Sequence, residues 1–248
     1  MTQVGAPESD LVQEALRVLD AGTDLPLRLL GGVAILVSLP GEPLLPRPSN
    51  DIDFITARGA GPGAARRFEE LGYRGDQQFN GLHGHRRLLF YDAEHERRVD
   101  VFVGRFEMCH TWPLDRRLRV TDQTIPLADL LLTKLQIFAV NEKDQRDILT
   151  LLHGHKLTDS DEGGINSAYV AELCATDWGI WRTITFNIER ARTAVPRFDL
   201  QPHDEAIVTA RLDDLRKRID SEPKSMKWKI RARVGERMQW YEEPEETG

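Results

Sequence analysis

Three aspartates stand inside apolar runs of the sequence, where a carboxylate is unusual. Asp51 and Asp53 belong to the run DIDFIT, and Asp100 belongs to VDVFV. Burying an ionised carboxylate is unfavourable unless the group is paired or binds a metal. Since residues i and i+2 of a strand project to the same face, Asp51 and Asp53 are expected to lie side by side. We predict that the three carboxylates converge on an oxygen-rich site suited to Mg²⁺ or Mn²⁺.

Two glycines upstream could bring a phosphate to the same site. Gly31 and Gly32 separate the short apolar run at 27–30 from a second apolar run at 33–39. A helix start offers backbone N–H groups to an anion, and glycine leaves those groups accessible. Carboxylates and a phosphate-binding turn together predict phosphoryl chemistry, in which metals neutralise a triphosphate and activate an attacking hydroxyl.

The elements that would position these residues alternate in the first half of the chain. Apolar periodicity, glycines and prolines predict strands and helices there. The strands are expected at 27–30, 51–56, 86–91 and 97–103, and the helices at 9–22, 33–39 and 64–71. The last two strands could pair as a hairpin across residues 92–96.

The second half of the chain is predicted to be mostly helical. Helices are expected at 127–140, 143–152, 166–174, 202–220 and 225–240. We therefore expect an α/β (α+β) protein. A small mixed sheet in residues 1–125 would carry the carboxylates, and a helical C-terminal region, 126–248, would complete the cleft.

Composition excludes several classes of protein. The chain has 248 residues and only two cysteines, Cys109 and Cys174, so disulfides cannot frame the fold, and a cytoplasmic location is expected. The N-terminus does not resemble a leader, and no uncharged apolar run is long enough to span a bilayer, so we expect a soluble protein without a membrane partner. A net charge of −7 argues against broad attraction to nucleic acid.

The order of the motifs resembles the DNA polymerase beta-like nucleotidyltransferase superfamily. The resemblance is carried by GGVAILVSLP, RPSNDIDF and VDVFV. It implies that Gly31 and Gly32 bind the triphosphate of an NTP and that Asp51, Asp53 and Asp100 bind the metals. It also implies that Asp100 helps to deprotonate the acceptor hydroxyl. The expected reaction transfers an NMP group and releases pyrophosphate.

Two further stretches are similar to the smaller bacterial members, among them the AbiE-type abortive-infection toxins. Arg47 and Ser49 in RPSNDIDF match an Arg-x-Thr/Ser-x-Asp pattern, which implies contacts to phosphate or nucleotide. The stretch PLADLLLTKLQIFAVNEKDQRDILTLL resembles the helical part of those toxins. By this resemblance Lys134 contacts the nucleotide phosphates, and Asp144 or Asp147 orients the lysine or lines the acceptor side.

The acceptor stays open at this point. A toxin-like enzyme would modify tRNA or protein and would have an antitoxin as a candidate partner. A second enzyme type would modify a small hydroxylated molecule such as an aminoglycoside or lincosamide, and a third hypothesis is a non-catalytic nucleotide-binding or antitoxin-like module. Residues 211–237 hold ten Lys or Arg against five acids, with Trp228 among them. This segment could form a groove for RNA or simply a solvated helix face.

The same residues also have purely structural explanations. Asp51 could close a turn, and the three aspartates could be neutralised by Arg97, Arg98 or Arg47. Lys134 could extend to the surface, and Asp144 and Asp147 could be solvated.

Two other motifs are weaker. The pattern Gly59-x-Gly61-x-x-Ala64 imitates a dinucleotide fingerprint, but Pro62 removes a backbone N–H from that loop. Three short groups of potential zinc ligands have spacings unlike those of a structural zinc site. They are His83 with His85, His153 with His155, and Cys109 with His110.

Overall fold

A five-stranded mixed sheet forms the centre of the first part of the chain. The structure is a computed structural model that describes residues 8–21, 25–92, 94–95 and 97–243. The strands are β1 (Arg28–Leu30), β2 (Asp51–Thr56), β3 (Arg74–Gly75), β4 (Arg87–Asp92) and β5 (Arg97–Val103). They lie in the order β1-β2-β5-β4-β3. The pair β2–β5 is parallel and the other pairs are antiparallel.

The predicted hairpin is confirmed, because β4 and β5 pair with Asp92 opposite Arg97. Shorter strands follow. They are β6 (Arg105–Glu107), β7 (Thr111–Pro113), β8 (Leu157–Thr158) and β9 (Ile165–Asn166), and they form two sheets of two strands each.

Helices flank the strands and make up most of the second half. The first four are α1 (Glu8–Asp20), α2 (Gly31–Ser38), α3 (Gly61–Glu70) and α4 (Gln77–His83). The next six are α5 (Leu127–Leu135), α6 (Glu142–Gly154), α7 (Ser167–Thr176), α8 (Trp178–Ala194), α9 (Pro202–Ser221) and α10 (Met226–Val234). The predicted class, α/β with a small mixed sheet and a helical C-terminal region, is confirmed.

The chain divides into two compact units. The first comprises Met1–Ser38, Arg47–Phe106 and Thr111–Pro126, and the second comprises Leu39–Pro46, Glu107–His110 and Leu127–Gly248. Two short segments from within residues 1–125 thus belong to the second unit. Each unit has its own buried core.

In the first unit, aromatic side chains pack α3 against one face of the sheet. Phe68 of α3 stacks on Phe90 of β4 with ring centroids 4.9 Å apart, and it meets Phe54 of β2 edge to face at 5.5 Å. Phe54 and Phe90 share this face by strand alternation, and all three rings are fully buried. Residues of odd number in β2, including both aspartates, therefore project from the opposite face.

Two predicted helices end later than the observed ones, and two observed helices were not predicted. The helix predicted at 127–140 ends at Leu135. There the side chain of Asn187 from α8 donates to the carbonyls of Leu135 and Ile137. The helix predicted at 225–240 ends at Val234, before Gly235, whose φ is +60°. Helices α4 and α8 have no counterpart among the predicted helices, although α8 lies in the region that was expected to be mostly helical. The predicted end of the first helix at Gly22 lies outside the described residues.

Both cysteines are buried and free. Burial raises the pKa of both thiols. No helix in the described ranges combines the length and the apolar character needed to cross a membrane.

Candidate functional site

Strand pairing places two of the three aspartates next to each other. In the parallel pair β2–β5, Asp53 lies opposite Asp100, and Asp51 lies opposite Arg98. Paired residues project from the same face of a sheet, so these four side chains share one face. Asp51 is exposed, Asp53 is half-buried and Asp100 is only 2% exposed. The strand predictions at 51–56 and 97–103 are therefore confirmed in type, bounds and facing.

The carboxylate of Asp53 lies directly against the start of α2. Gly31 opens this helix with a φ of +72°, which side-chain-bearing residues rarely adopt. A Cβ at position 31 would lie 3.0 Å from Cγ of Asp53, and closer still to its Oδ2. Only glycine allows this approach. A carboxylate at a helix N-terminus is also electrostatically favourable, because the backbone N–H groups there carry partial positive charge.

The adjacent glycine accommodates an arginine. A Cβ at Gly32 would lie 3.1 Å from Cζ of Arg47. The same loop brings the buried Ser49 to Asp51, where its hydroxyl donates to Oδ1 over 3.4 Å. The structure therefore gathers Gly31, Gly32, Arg47, Ser49, Asp51 and Asp53 at one place in the first unit.

Asp100 is held by two arginines. Its Oδ1 accepts from Arg87 Nε at 2.8 Å and lies 2.8 Å from Arg87 Nη2, while its Oδ2 accepts from Arg98 Nε at 3.1 Å. The Arg87 guanidinium also lies 5.0 Å from the centroid of the Phe102 ring. Both oxygens of Asp100 are therefore engaged by cations, and Arg98 takes the neutralising role considered from the sequence.

The contribution of Arg87 was not predicted. The register of the β4–β5 hairpin would have indicated it. Leu89 of β4 lies opposite Asp100 of β5, and Arg87, two residues before Leu89, projects from the same face of the sheet. Diagonal neighbours of this kind lie within reach of a long side chain.

The carboxylates of Asp51 and Asp53 have the chemistry that a divalent metal prefers, whereas both oxygens of Asp100 are bound by arginines. In the described parts of the chain, no three His, Cys, Asp or Glu side chains are grouped to hold a metal ion. Asp51 and Asp53 offer hard oxygen donors on one strand face, and Mg²⁺ is often bound through one or two carboxylates with substrate phosphates and waters completing the shell. The role of Asp100 as a third ligand stays a prediction and requires its ion pairs to rearrange.

The second unit contains a half-buried lysine that lies between two aspartates. The Nζ atom of Lys134 lies 2.9 Å from Oδ2 of Asp147 and 3.3 Å from Oδ1 of Asp144. Asp144 also closes the N-terminus of α6 in a capping box with Asn141. The lysine side chain is 14% exposed, so it does not extend into solvent. The structure thus brings together Lys134, Asp144 and Asp147, the three residues that the resemblance joins.

The weaker motifs have structural roles. Gly61 begins α3, and a Cβ there would lie 3.3 Å from the carbonyl oxygen of Gly84, so neighbouring chain occupies that side of the loop. In the second unit, His153 Nε2 lies 2.9 Å from Asp204, and His110 Nε2 lies 2.8 Å from the Thr183 hydroxyl. Burial lowers the pKa of His110 to about 4, which favours the neutral ring.

Comparison with known proteins gives structural likenesses only. No family model matches the sequence, and no curated protein matches it significantly. The antibiotic-resistance factor ANT(2'')-Ia, known from a solution structure, is 14% identical with a TM-score of 0.36, covering 87% of this chain and 94% of that one. JHP933 from Helicobacter pylori is 10% identical with a TM-score of 0.42, covering 87% and 95%.

A further H. pylori protein, proposed to be a nucleotidyltransferase, is 9% identical with a TM-score of 0.40, covering 87% and 97%. At these identities and TM-scores the likenesses assign neither an activity nor a substrate to this chain.

Proposed function

We propose that this chain is a nucleotidyltransferase that transfers an NMP group from an NTP to an acceptor and releases pyrophosphate. The observation that carries the proposal is the contact between the Asp53 carboxylate and Gly31 at the start of α2. In this contact a carboxylate, which can bind a metal, lies beside the backbone N–H groups of a helix start, which can bind a phosphate. The resemblance of the motif order to the DNA polymerase beta-like superfamily supports the same reaction.

Asp51 and Asp53 would hold Mg²⁺ or Mn²⁺. The bound metal would supply charge neutralisation of the triphosphate and activation of the acceptor hydroxyl. Arg47, beside Gly32, would bind phosphate oxygens through its planar guanidinium, which suits bidentate contacts. Ser49 would keep Asp51 oriented through the hydrogen bond to Oδ1. Backbone N–H groups of the first turn of α2 would complete the phosphate contacts.

In this proposal, Asp100 acts by positioning two arginines. It fixes the guanidinium groups of Arg87 and Arg98 on the sheet face that carries Asp53. As a metal ligand or a base for the acceptor hydroxyl, it would first have to leave both arginines.

In the second unit, Lys134 would contact nucleotide phosphates, as the resemblance implies. Asp144 and Asp147 would orient its ammonium group, and either could line the acceptor side.

The test is transfer of label from each α-labelled NTP with Mg²⁺ or Mn²⁺, assayed together with pyrophosphate release. The acceptors are total tRNA, cellular protein, and a panel of aminoglycosides and lincosamides. Transfer to tRNA or protein would favour the toxin-like alternative, and transfer to a drug would favour the antibiotic-modifying one. Absence of pyrophosphate release with every acceptor would leave the non-catalytic module and would contradict the proposal.

Variants locate the activity. We expect Asp53→Asn and Asp51→Asn to lower the rate by about 100-fold or more, since each removes a carboxylate that would hold the metal beside the triphosphate. Asp51 is exposed, so its variant should keep the stability of the wild type. Asp100→Asn should also destabilise the fold by about 3 kcal/mol, because it leaves two arginines without their buried partner.

The matched control is Glu70→Gln, which neutralises an exposed carboxylate at the end of α3. It should retain both full rate and full stability. Wild-type turnover by Asp53→Asn would refute the assignment of the site.

A further inference from the structure

Helix α10 is attached to the second unit by one face. The Trp228 ring lies edge to face on Trp181 with centroids 5.1 Å apart, and the Arg231 guanidinium lies 4.6 Å from the centre of Trp178. The helix N-terminus is capped by Ser225, which also donates its backbone N–H to the carbonyl of Ala175. These contacts fix the orientation of α10 and determine which side chains face outward.

The outward face carries large apolar side chains. Met226, Ile230 and Val234 follow one another at intervals of four residues, and 71%, 58% and 41% of their surfaces are exposed. Met238, beyond the helix end, is 54% exposed, and Arg231 holds its carbonyl at 2.7 Å. We call these four residues the apolar stripe. They are half of the eight large apolar side chains exposed among the described residues, a concentration typical of interaction sites.

Basic residues flank the stripe on both sides. At about 100° per residue, Lys229 and Arg233 lie along one side of the stripe and Lys227 along the other. All three are exposed, as is Arg237 after the helix. The sole acid between 226 and 238 is Glu236, whose Oε1 lies 2.5 Å from Arg182 Nε. The surroundings of the stripe are therefore positively charged.

The remaining basic residues of the 211–237 segment bind within the second unit. Arg211 donates to the carbonyls of Leu152 and His153, and Lys224 donates to that of Glu222. Three others form ion pairs along α9. Trp228 turns inward, so α10 presents no aromatic ring on the outer face for stacking on a base. This arrangement disfavours an RNA groove on α10 and leaves an apolar surface with a cationic border.

We propose that the outer face of α10 binds an acidic amphipathic helix of a partner protein. Apolar side chains of the partner, spaced three or four residues apart, would cover the stripe, and carboxylates on its flanks would meet the four cations. A second copy of this chain fits poorly, because pairing two such faces would bring their positively charged borders together and the like charges would repel. An anionic membrane fits poorly as well, since the aromatic ring of Trp228 packs inward and aromatic rings are usual on the apolar face of helices that lie in a membrane surface. The inference does not depend on the proposed enzymatic activity.

The test uses the full chain and three fluorescent helical peptides. The first has leucines at intervals of three and four residues with glutamates on both flanks. The second replaces the glutamates with lysines, and the third replaces the leucines with serines. Anisotropy titrations should give binding of the first peptide alone, weakening as the salt concentration rises from about 0.05 M to about 0.5 M. Vesicles with and without phosphatidylserine and total tRNA are titrated in parallel.

Variants assign the binding to the stripe. Ile230→Glu should weaken binding of the acidic peptide by about tenfold or more, and the double change Lys229→Glu with Arg233→Glu should reduce both affinity and salt dependence. Leu82→Glu is the matched control, because Leu82 of α4 is 65% exposed and lies in the first unit. It should bind like the wild type.

Three results would overturn the proposal. They are no binding of the acidic peptide, equal binding by Ile230→Glu, and binding of vesicles or tRNA that Ile230→Glu abolishes. Circular dichroism and thermal melting would show that each variant remains folded.

Discussion

Gly31 must satisfy two requirements that only glycine meets. Its φ of +72° is strained for any residue with a Cβ, and a Cβ would collide with the Asp53 carboxylate. Gly59 separates these effects, because its φ is +83° but nothing lies within 4 Å of a Cβ placed there.

We expect Gly31→Ala to lower the free energy of unfolding by about 2–4 kcal/mol and to displace Asp53. Gly59→Ala should cost only the backbone strain, about 1–2 kcal/mol. Urea unfolding of both variants gives the comparison. NTP binding by the two variants tests the displacement, since Gly59→Ala should bind as the wild type does. Equal losses of stability would show that the contact with Asp53 contributes nothing.

For individual side chains, the sequence predicts the residue types of the site better than it predicts their partners. The run DIDFIT places Asp51 and Asp53 on one face, and the structure confirms that facing. The two arginines on Asp100 could not both be predicted, because strand alternation says nothing about register. Only the pairing of β4 with β5 brings Arg87 beside Asp100.

Helix α8 acts as an element that ends another helix. The Asn187 side chain, 1% exposed, donates to the carbonyls of Leu135 at 2.8 Å and Ile137 at 2.7 Å. Arg190 supports the same turn through the carbonyl of Val140 at 3.4 Å. Carbonyls beyond a helix end need such donors when they are buried.

Replacement of Asn187 by leucine should lower the free energy of unfolding by about 2–4 kcal/mol, because one buried and one partly buried carbonyl lose their donor. Urea titration followed by circular dichroism measures the change. Glu189→Ala, an exposed change on the same helix, is the control and should alter stability by less than about 0.5 kcal/mol. A loss no larger for Asn187→Leu than for this control would contradict the role.

The helix predictions erred where tertiary contacts decide. The apolar period extends to Val140, yet α5 ends at Leu135 because α8 supplies the donors. Helix α8 itself carries a local signal, the N-cap Asp177, whose side chain accepts from Ile180 N at 3.0 Å. The four strands predicted from local alternation agree with the structure to within one residue, whereas the short strands β3 and β6 to β9 were not predicted.

The pH dependence of stability is a property of the whole molecule, to which buried histidines contribute. Burial lowers the pKa of His110 from 6.5 to about 4, and burial also lowers the pKa of His155. Between these pH values the unfolded chain binds a proton that the folded ring does not, so stability falls as the pH falls from about 6.5 to about 4. Glu14, whose pKa is lowered to about 2 chiefly by the hydrogen bond from Arg17, adds a loss only below its usual pKa of 4.5.

We expect the wild type to lose about 1–3 kcal/mol more than His110→Gln between about pH 7 and about pH 5. Glutamine can still donate to the Thr183 hydroxyl, which also accepts from Trp240 Nε1 at 3.2 Å. Urea unfolding followed by tryptophan fluorescence at both pH values measures the difference. Parallel pH profiles would mean that His110 does not titrate in this window.

The two thiols have a practical consequence for measuring motion. Cys109 and Cys174 are the sole cysteines of the sequence, and burial disfavours the thiolate of each, so maleimides should react with them slowly in the native state. A cysteine introduced on the surface of each compact unit would therefore be derivatised selectively without removal of the natural ones. A donor and an acceptor dye attached in this way would report, by energy transfer, whether the distance between the units changes when NTP is added.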